Sequence, residues 1–105
     1  MRRGGARGAF RPRSQAMVHV TFPAVLARHV DCPDAEVEGG TVRAALDAAF
    51  ALHPKVRGYV LDDAGSLRTH MAIFVDGAPL RDRVALSDGV RAGSRIDVLQ
   101  ALSGG

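Results

Sequence analysis

The chain has 105 residues, of which 47% are hydrophobic, 5% aromatic and 24% charged. This length fits one domain with a modest core and leaves little room for a second. With one cysteine, the sequence excludes an internal disulfide and a zinc site made of several cysteines.

The net charge of +3 is distributed unevenly along the chain. Residues 1–16 hold five arginines and no acidic residue, whereas residues 17–105 hold nine basic and eleven acidic residues. Because glycine, arginine and proline without an apolar stripe cannot build a core, we predict a disordered basic leader at 1–16. The leader lacks the apolar stretch of a secretory signal. No segment approaches the roughly 20 apolar residues of a membrane span, and we expect a cytoplasmic protein.

The first part of the domain, residues 17–105, has the pattern of two paired strands. Residues 17–22 alternate apolar and polar side chains, which is the period of a half-buried strand. Pro23 ends this strand, and the following apolar connection has no defined pattern. Residues 31–34 read as a turn, and residues 35–38 as a short second strand that returns antiparallel to the first.

An amphipathic helix follows the second strand. Gly39 and Gly40 break the strand, and Thr41 occupies the N-cap position of the helix. Pro54 ends the helix because it cannot donate to the backbone ladder, and residues 55–61 suggest one more helical turn. One helical face carries Val42, Ala45, Leu46, Ala49, Phe50 and His53.

The rest of the domain predicts a hairpin and a final strand. Residues 71–75 form a run that is apolar on both faces, which predicts a strand inside the sheet. Asp76 and Gly77 suit a two-residue hairpin turn with positive φ, and Pro79 marks the return strand as an edge. Residues 95–101 form the last strand.

The element order is strand, strand, helix, strand, short strand, strand. If the first and last long strands lie parallel at the centre, one helix can cover one face of the sheet. The order therefore predicts an α+β fold of the β-grasp type, with a mixed sheet of four to five strands covered on one face by one main helix. It also suits a ferredoxin-like or another small α+β fold.

After the last strand the sequence continues as Leu102-Ser103-Gly104-Gly105. Together with the elements above, this ending resembles the MoaD/ThiS family of ubiquitin-like sulfur-carrier proteins. The resemblance covers residues 17–105. It rests on the opening strand followed by Pro23, on Thr41 before the helix, on the Ile73-Phe74-Val75-Asp76-Gly77 hairpin and on the final diglycine.

The resemblance implies that the chain is a protein co-substrate and not an enzyme, and that it needs no cofactor of its own. A ubiquitin-activating-type adenylyltransferase would use ATP to convert the Gly105 carboxylate into an acyl-adenylate. Sulfur would then displace AMP to give a thiocarboxylate, which would donate sulfur to a biosynthetic enzyme. The molybdopterin, thiamine, cysteine and tRNA thiolation pathways all remain open.

The residue types of the predicted flexible C-terminal tail suit this chemistry. The reacting carboxylate must reach a buried nucleotide, and glycine at 104 and 105 allows a close backbone approach because it has no Cβ atom. Ser103 is small enough to follow. An apolar surface beside the tail is expected to dock the activating enzyme, and its candidates are Phe74, Leu80, Leu99 and Leu102. Phe74 and Leu99 would equally suit the core.

Other functions stay open at this point. The chain could be a protein modifier that forms isopeptide bonds through Gly105, or an interaction module that does not use its terminus. Nucleic-acid binding through the leader is a third, disfavoured alternative, and we expect a free monomer with no nucleic-acid or membrane partner. No histidine pair has metal-site spacing. Cys32 is a weak candidate for relaying sulfur because no basic residue flanks it.

Overall fold

The computed structural model describes residues 17–101. The predicted leader at 1–16 and the residues 102–105 lie outside the described part. The strands are β1 Val18–Thr21, β2 Ala35–Val37, β3 Met71–Val75, β4 Ala78–Pro79 and β5 Arg95–Gln100. The α-helices are α1 Val42–Leu52 and α2 Arg57–Val60, and 3₁₀ helices occupy Ala24–Arg28 and Pro54–Val56.

The five strands form one mixed sheet in the order β2-β1-β5-β3-β4. Strands β1 and β5 are parallel, and the other neighbouring pairs are antiparallel. The first and last long strands therefore pair in parallel near the centre of the sheet, as the β-grasp prediction requires. This topology confirms that prediction and excludes the ferredoxin-like alternative.

Helix α1 begins as the sequence predicts. The Thr41 hydroxyl accepts a hydrogen bond from the Ala44 backbone N–H at 3.1 Å, which satisfies one of the free donors of the first turn. The predicted apolar face of α1 packs on the sheet and is buried from Val42 to Phe50, whereas His53 is half-buried and lies just past the end of the helix. The core combines that face with side chains of the sheet and connections: Val18, Val20, Val42, Ala45, Leu46, Ala49, Phe50, Val60, Met71, Ile73, Ile96 and Val98.

Replacing Thr41 by alanine should destabilise the domain by about 1 kcal/mol, because the Ala44 N–H loses its acceptor. Urea unfolding followed by circular dichroism measures the change. Thr41→Ser keeps a hydroxyl at the same place and should retain most of the stability. Equal stability of all three proteins would contradict this role of the cap.

Strand β3 lies inside the sheet, between β5 and β4, as predicted. However, only one of the two apolar faces of this strand is fully buried. Met71 and Ile73 are buried under α1, whereas Ala72 and Phe74 are half-buried on the other face. Since α1 covers only one face, the other remains open to solvent or to a partner.

Strands β1 and β5 end at the same side of the domain because they are parallel. The C-terminal end of α1 lies there too, since the rings of Phe22 and Phe50 have centroids 6.3 Å apart. The chain therefore leaves the sheet toward residue 102 from this side. We refer to it as the tail end of the domain.

Candidate functional site

The sheet holds the chain up to the residue before the tail. Strand β5 pairs antiparallel with β3, with Gln100 opposite Met71. One residue further, the Ala101 N–H donates to the His70 carbonyl oxygen at 2.8 Å. The root of the predicted tail is thus fixed to the residue that precedes β3. The tail residues Ser103, Gly104 and Gly105 lie outside the described residues, so their role stays a prediction.

An apolar patch lies beside this root, on the open face of the sheet that α1 leaves uncovered. The register places Leu99 opposite Ala72, and Pro79 opposite Phe74. Leu99 is 43% exposed, Phe74 and Ala72 are half-buried and Pro79 is exposed. We call Ala72, Phe74, Pro79 and Leu99 the apolar patch. A surface of this kind on a small domain is suited to protein contact.

The four predicted docking residues do not all meet on this patch. Phe74 and Leu99 share the open face. Leu80 lies elsewhere: its N–H donates to the Ile73 carbonyl oxygen at 2.9 Å, which places it opposite a core residue. Its side chain accordingly packs against the hydrophobic core. Leu102 lies outside the described residues.

A polar strip that the sequence analysis did not identify crosses the rest of the open face. The Thr21 hydroxyl and the Arg95 Nε–H both donate to Asp97 Oδ1, each at 2.8 Å. Further along the face, the His19 ring bonds Glu36 through Nδ1, and its Nε2 lies 3.6 Å from Asp34 Oδ2. The strip therefore offers ordered charges next to the apolar patch. Strand alternation places these side chains on one face, but only the strand order brings them together.

Cys32 is half-buried and distant in sequence from the tail root. Burial raises the pKa of its thiol, and the nearby carboxylates of Asp31 and Asp34 raise it further. A thiol with a raised pKa forms little thiolate near neutral pH, which disfavours a role in sulfur relay. Among residues 17–101, no group of histidine, cysteine and acidic side chains is arranged to hold a metal ion.

Cys32 should react with iodoacetamide at pH 7.5 more slowly than the same cysteine in the urea-unfolded chain. Its folded pKa is the higher one, so less thiolate is present at this pH, and the two rates should converge only as the pH rises above the folded pKa. Mass spectrometry of timed samples gives the rates. Asp31→Asn should accelerate the folded reaction. A folded chain that reacts faster than the unfolded chain would contradict the raised pKa.

Solved structures of similar shape identify this arrangement. SAMP1 from Haloferax volcanii is 27% identical, with a TM-score of 0.68, and the match covers 85% of this chain and 99% of that one. CysO, in the Amycolatopsis orientalis BexX/CysO complex, is 23% identical, with a TM-score of 0.70 and coverage of 84% and 99%. CysO from Mycobacterium tuberculosis is 22% identical, with a TM-score of 0.69 and coverage of 81% and 99%.

The chain has the ubiquitin-like β-grasp fold of these neighbours, which are of the MoaD/ThiS type. This confirms the resemblance drawn from the sequence. The neighbours are ubiquitin-like sulfur-carrier proteins, and the match extends over almost the whole of each. By sequence alone, no family model matches the chain and no curated protein matches it. None of the helices in the described part of this β-grasp protein is long and apolar enough to cross a membrane.

Proposed function

We propose that this β-grasp protein carries sulfur as a thiocarboxylate on Gly105. A ubiquitin-activating-type adenylyltransferase would form the acyl-adenylate with ATP and release pyrophosphate. Hydrosulfide from a sulfur donor would then displace AMP to give the thiocarboxylate, and a biosynthetic enzyme would transfer this sulfur to its substrate while oxygen from water or from that substrate restores the carboxylate. The chain acts here as a co-substrate and not as an enzyme. We propose that the reaction occurs in the cytoplasm, where thiols stay reduced.

The continuity of β5 with the tail carries this proposal. The central strand runs past the apolar patch, is held at Ala101, and continues in the sequence to Gly104 and Gly105. A partner seated on the patch would therefore find the tail root at the edge of its contact. The similarity to SAMP1 and CysO supports the same reading, and the Amycolatopsis orientalis structure contains CysO in complex with BexX.

The direct test is intact-mass analysis of the full chain after incubation with ATP, a sulfide source and a cognate activating enzyme. A mass gain equal to the replacement of one oxygen by sulfur, located at Gly105 by fragmentation, is the expected result. Omission of ATP should prevent the gain. A chain that never acquires sulfur with any activating enzyme from its own cell would refute the proposal.

The apolar patch should supply much of the affinity for the activating enzyme. Leu99→Asp places a charge in the patch, and we expect binding to weaken about tenfold or more, as for a contact at the centre of an interface. Isothermal titration calorimetry measures the change. Leu52→Asp is the matched control, because Leu52 is 60% exposed at the end of α1 and lies off the open face. Equal losses in both variants would argue against docking through the patch.

Protein modification is the second candidate function. The observation that favours it is the similarity to the Haloferax volcanii small archaeal modifier protein 1, at 26% identity and a TM-score of 0.68. The same activated Gly105 would then form an isopeptide bond with a lysine. Tryptic fragments in which a lysine carries the C-terminal residues of this chain would establish it. Lys55 is the chain's own lysine available for self-linkage.

A further inference from the structure

The loop between β4 and β5 is held by two aspartates. Asp82 accepts hydrogen bonds from the backbone N–H groups of Val84, Ala85 and Ser87 at 2.9–3.2 Å, and from the Ser87 hydroxyl. Asp88 accepts from two N–H groups at the start of the loop, each at 2.9 Å. The bonds to Asp82 lower the pKa of its carboxyl to about 2. The loop is therefore built around charged carboxylates.

The same loop contains Leu86, which has a strained backbone conformation, and Val84, whose side chain is exposed to solvent. Leu86 has a φ of +57°, which costs free energy for any residue with a Cβ atom, while its side chain is fully buried. Its carbonyl oxygen accepts from the Arg43 N–H in the first turn of α1 at 2.9 Å. Two residues earlier, Val84 is 71% exposed. Strain that is held in place by surrounding bonds is a reason to look for a function.

Arginines surround this exposed valine. The Arg43 guanidinium donates to the carbonyl oxygens of Gly65 and Ala85 and lies 3.5 Å from that of Val84. A Cβ atom at Gly65 would lie 3.4 Å from the Arg43 guanidinium and 3.6 Å from that of Arg57, so the two cations are close. We call Arg43, Arg57, Arg83 and Val84 the arginine flank.

The positive charges of the flank are not neutralised by ion pairs within the described residues. Among residues 17–101, Arg95 is the arginine that pairs with a carboxylate. Arg43 donates to backbone carbonyl oxygens instead. The Arg83 guanidinium likewise donates to the carbonyl oxygens of Arg68 and Met71, both at 2.9 Å. Each guanidinium has five N–H donors, so donors remain for a ligand. Two nearby acids, Asp62 and Asp82, accept from backbone N–H groups of their own loops and form no ion pair with these arginines within the described residues.

The flank also lies apart from the open face. Arg43 belongs to the first turn of α1, which covers the opposite face of the sheet from the apolar patch. A partner seated on Phe74 and Leu99 would therefore leave the flank accessible. The two surfaces could be occupied by different proteins, or by separate parts of one protein.

We propose that the arginine flank docks an acidic polypeptide segment that carries an aliphatic side chain. Carboxylates of the segment would accept from the free guanidinium donors, and the aliphatic side chain would cover Val84. A nucleic acid is disfavoured because an exposed valine offers no stacking surface to a base. This inference does not depend on the chemistry of Gly105.

The test is an NMR titration of the full chain, labelled with ¹⁵N, with a short peptide of glutamates around a central leucine. Shifts are expected at 43, 57, 65 and 83–85, and the affinity should fall as salt is added. The same peptide with glutamine at every glutamate should bind much more weakly. Arg57→Glu and Val84→Asp should each weaken binding about threefold to tenfold. Both side chains are exposed, so these variants should fold.

Arg91→Glu is the matched control for charge. Arg91 is exposed and lies just before the start of β5, at the end of that strand opposite the tail. Binding that this variant leaves unchanged supports a local site. An equal loss in Arg91→Glu and Arg57→Glu would reduce the effect to net charge and overturn the proposal. Absence of peptide binding, shifts centred on Leu99, or tighter binding of a single-stranded RNA at the flank would also overturn it.

Discussion

Extending the chain by one alanine after Gly105 is expected to abolish thiocarboxylate formation. The Gly105 carboxylate would become part of a peptide bond and would no longer supply the oxygen that attacks ATP. The new carboxylate would stand about 3.5 Å further from the domain and would be flanked by a Cβ atom. Intact-mass analysis with the activating enzyme, ATP and sulfide should show the unmodified mass only.

The extension should leave the fold and the docking step intact. A loss of thiocarboxylate formation would then not be caused by unfolding or by failure to bind the activating enzyme. The free energy of unfolding should equal that of the original chain, and calorimetry should show the activating enzyme still bound through the apolar patch. Leu99→Asp should give the converse result, with weaker binding but sulfur transfer at high enzyme concentration. If the extended chain gains sulfur as fast as the original, Gly105 is not the carrier group.

The elements that follow local rules could be predicted from the sequence. The alternation at residues 17–22 identified β1, and the apolar face after Thr41 identified α1 with its cap. The Asp76-Gly77 turn was also correct, with φ of +50° and +87° at the two positions. In each case the pattern and the physical cause lie within a few neighbouring residues.

The arrangement of the site depends on contacts between distant segments, and there the sequence was less informative. Leu80 was grouped with Phe74 because both are apolar, but strand pairing sets it opposite Ile73 on the covered face. The arginine flank was missed because Arg43 binds carbonyl oxygens 22 and 42 residues away. No spacing rule connects an arginine with backbone groups at such separations.

The two glycines before α1 also differ in a way that the sequence could not predict. From the sequence, Gly39 and Gly40 are equivalent, as residues that break a strand. In the structure, a Cβ atom on Gly39 would lie 2.7 Å from the Ala45 backbone nitrogen and 2.9 Å from its Cα, whereas one on Gly40 would meet nothing within 4 Å. Gly39 is therefore required for the close approach of the chain to α1, and Gly40 is not.

Gly39→Ala should destabilise the domain by about 1–3 kcal/mol, the usual cost of forcing an extra carbon into a packed site. The backbone of α1 cannot give way as a flexible side chain could, so the connection from β2 has to move. For a domain of this size the loss corresponds to roughly 4–8 °C in Tm per kcal/mol. Calorimetric melting of the full chain measures it.

Gly40→Ala is the matched control, since it adds the same methyl group one residue away. Its side chain meets open space, and alanine restricts the unfolded chain, so its stability should be unchanged or raised by at most about 1 kcal/mol. Two equal losses would mean that glycine is needed for the bend itself. Loss confined to position 39 would mean that contact with Ala45 sets how closely α1 packs on the sheet. That packing determines which face is covered and which stays open beside the tail.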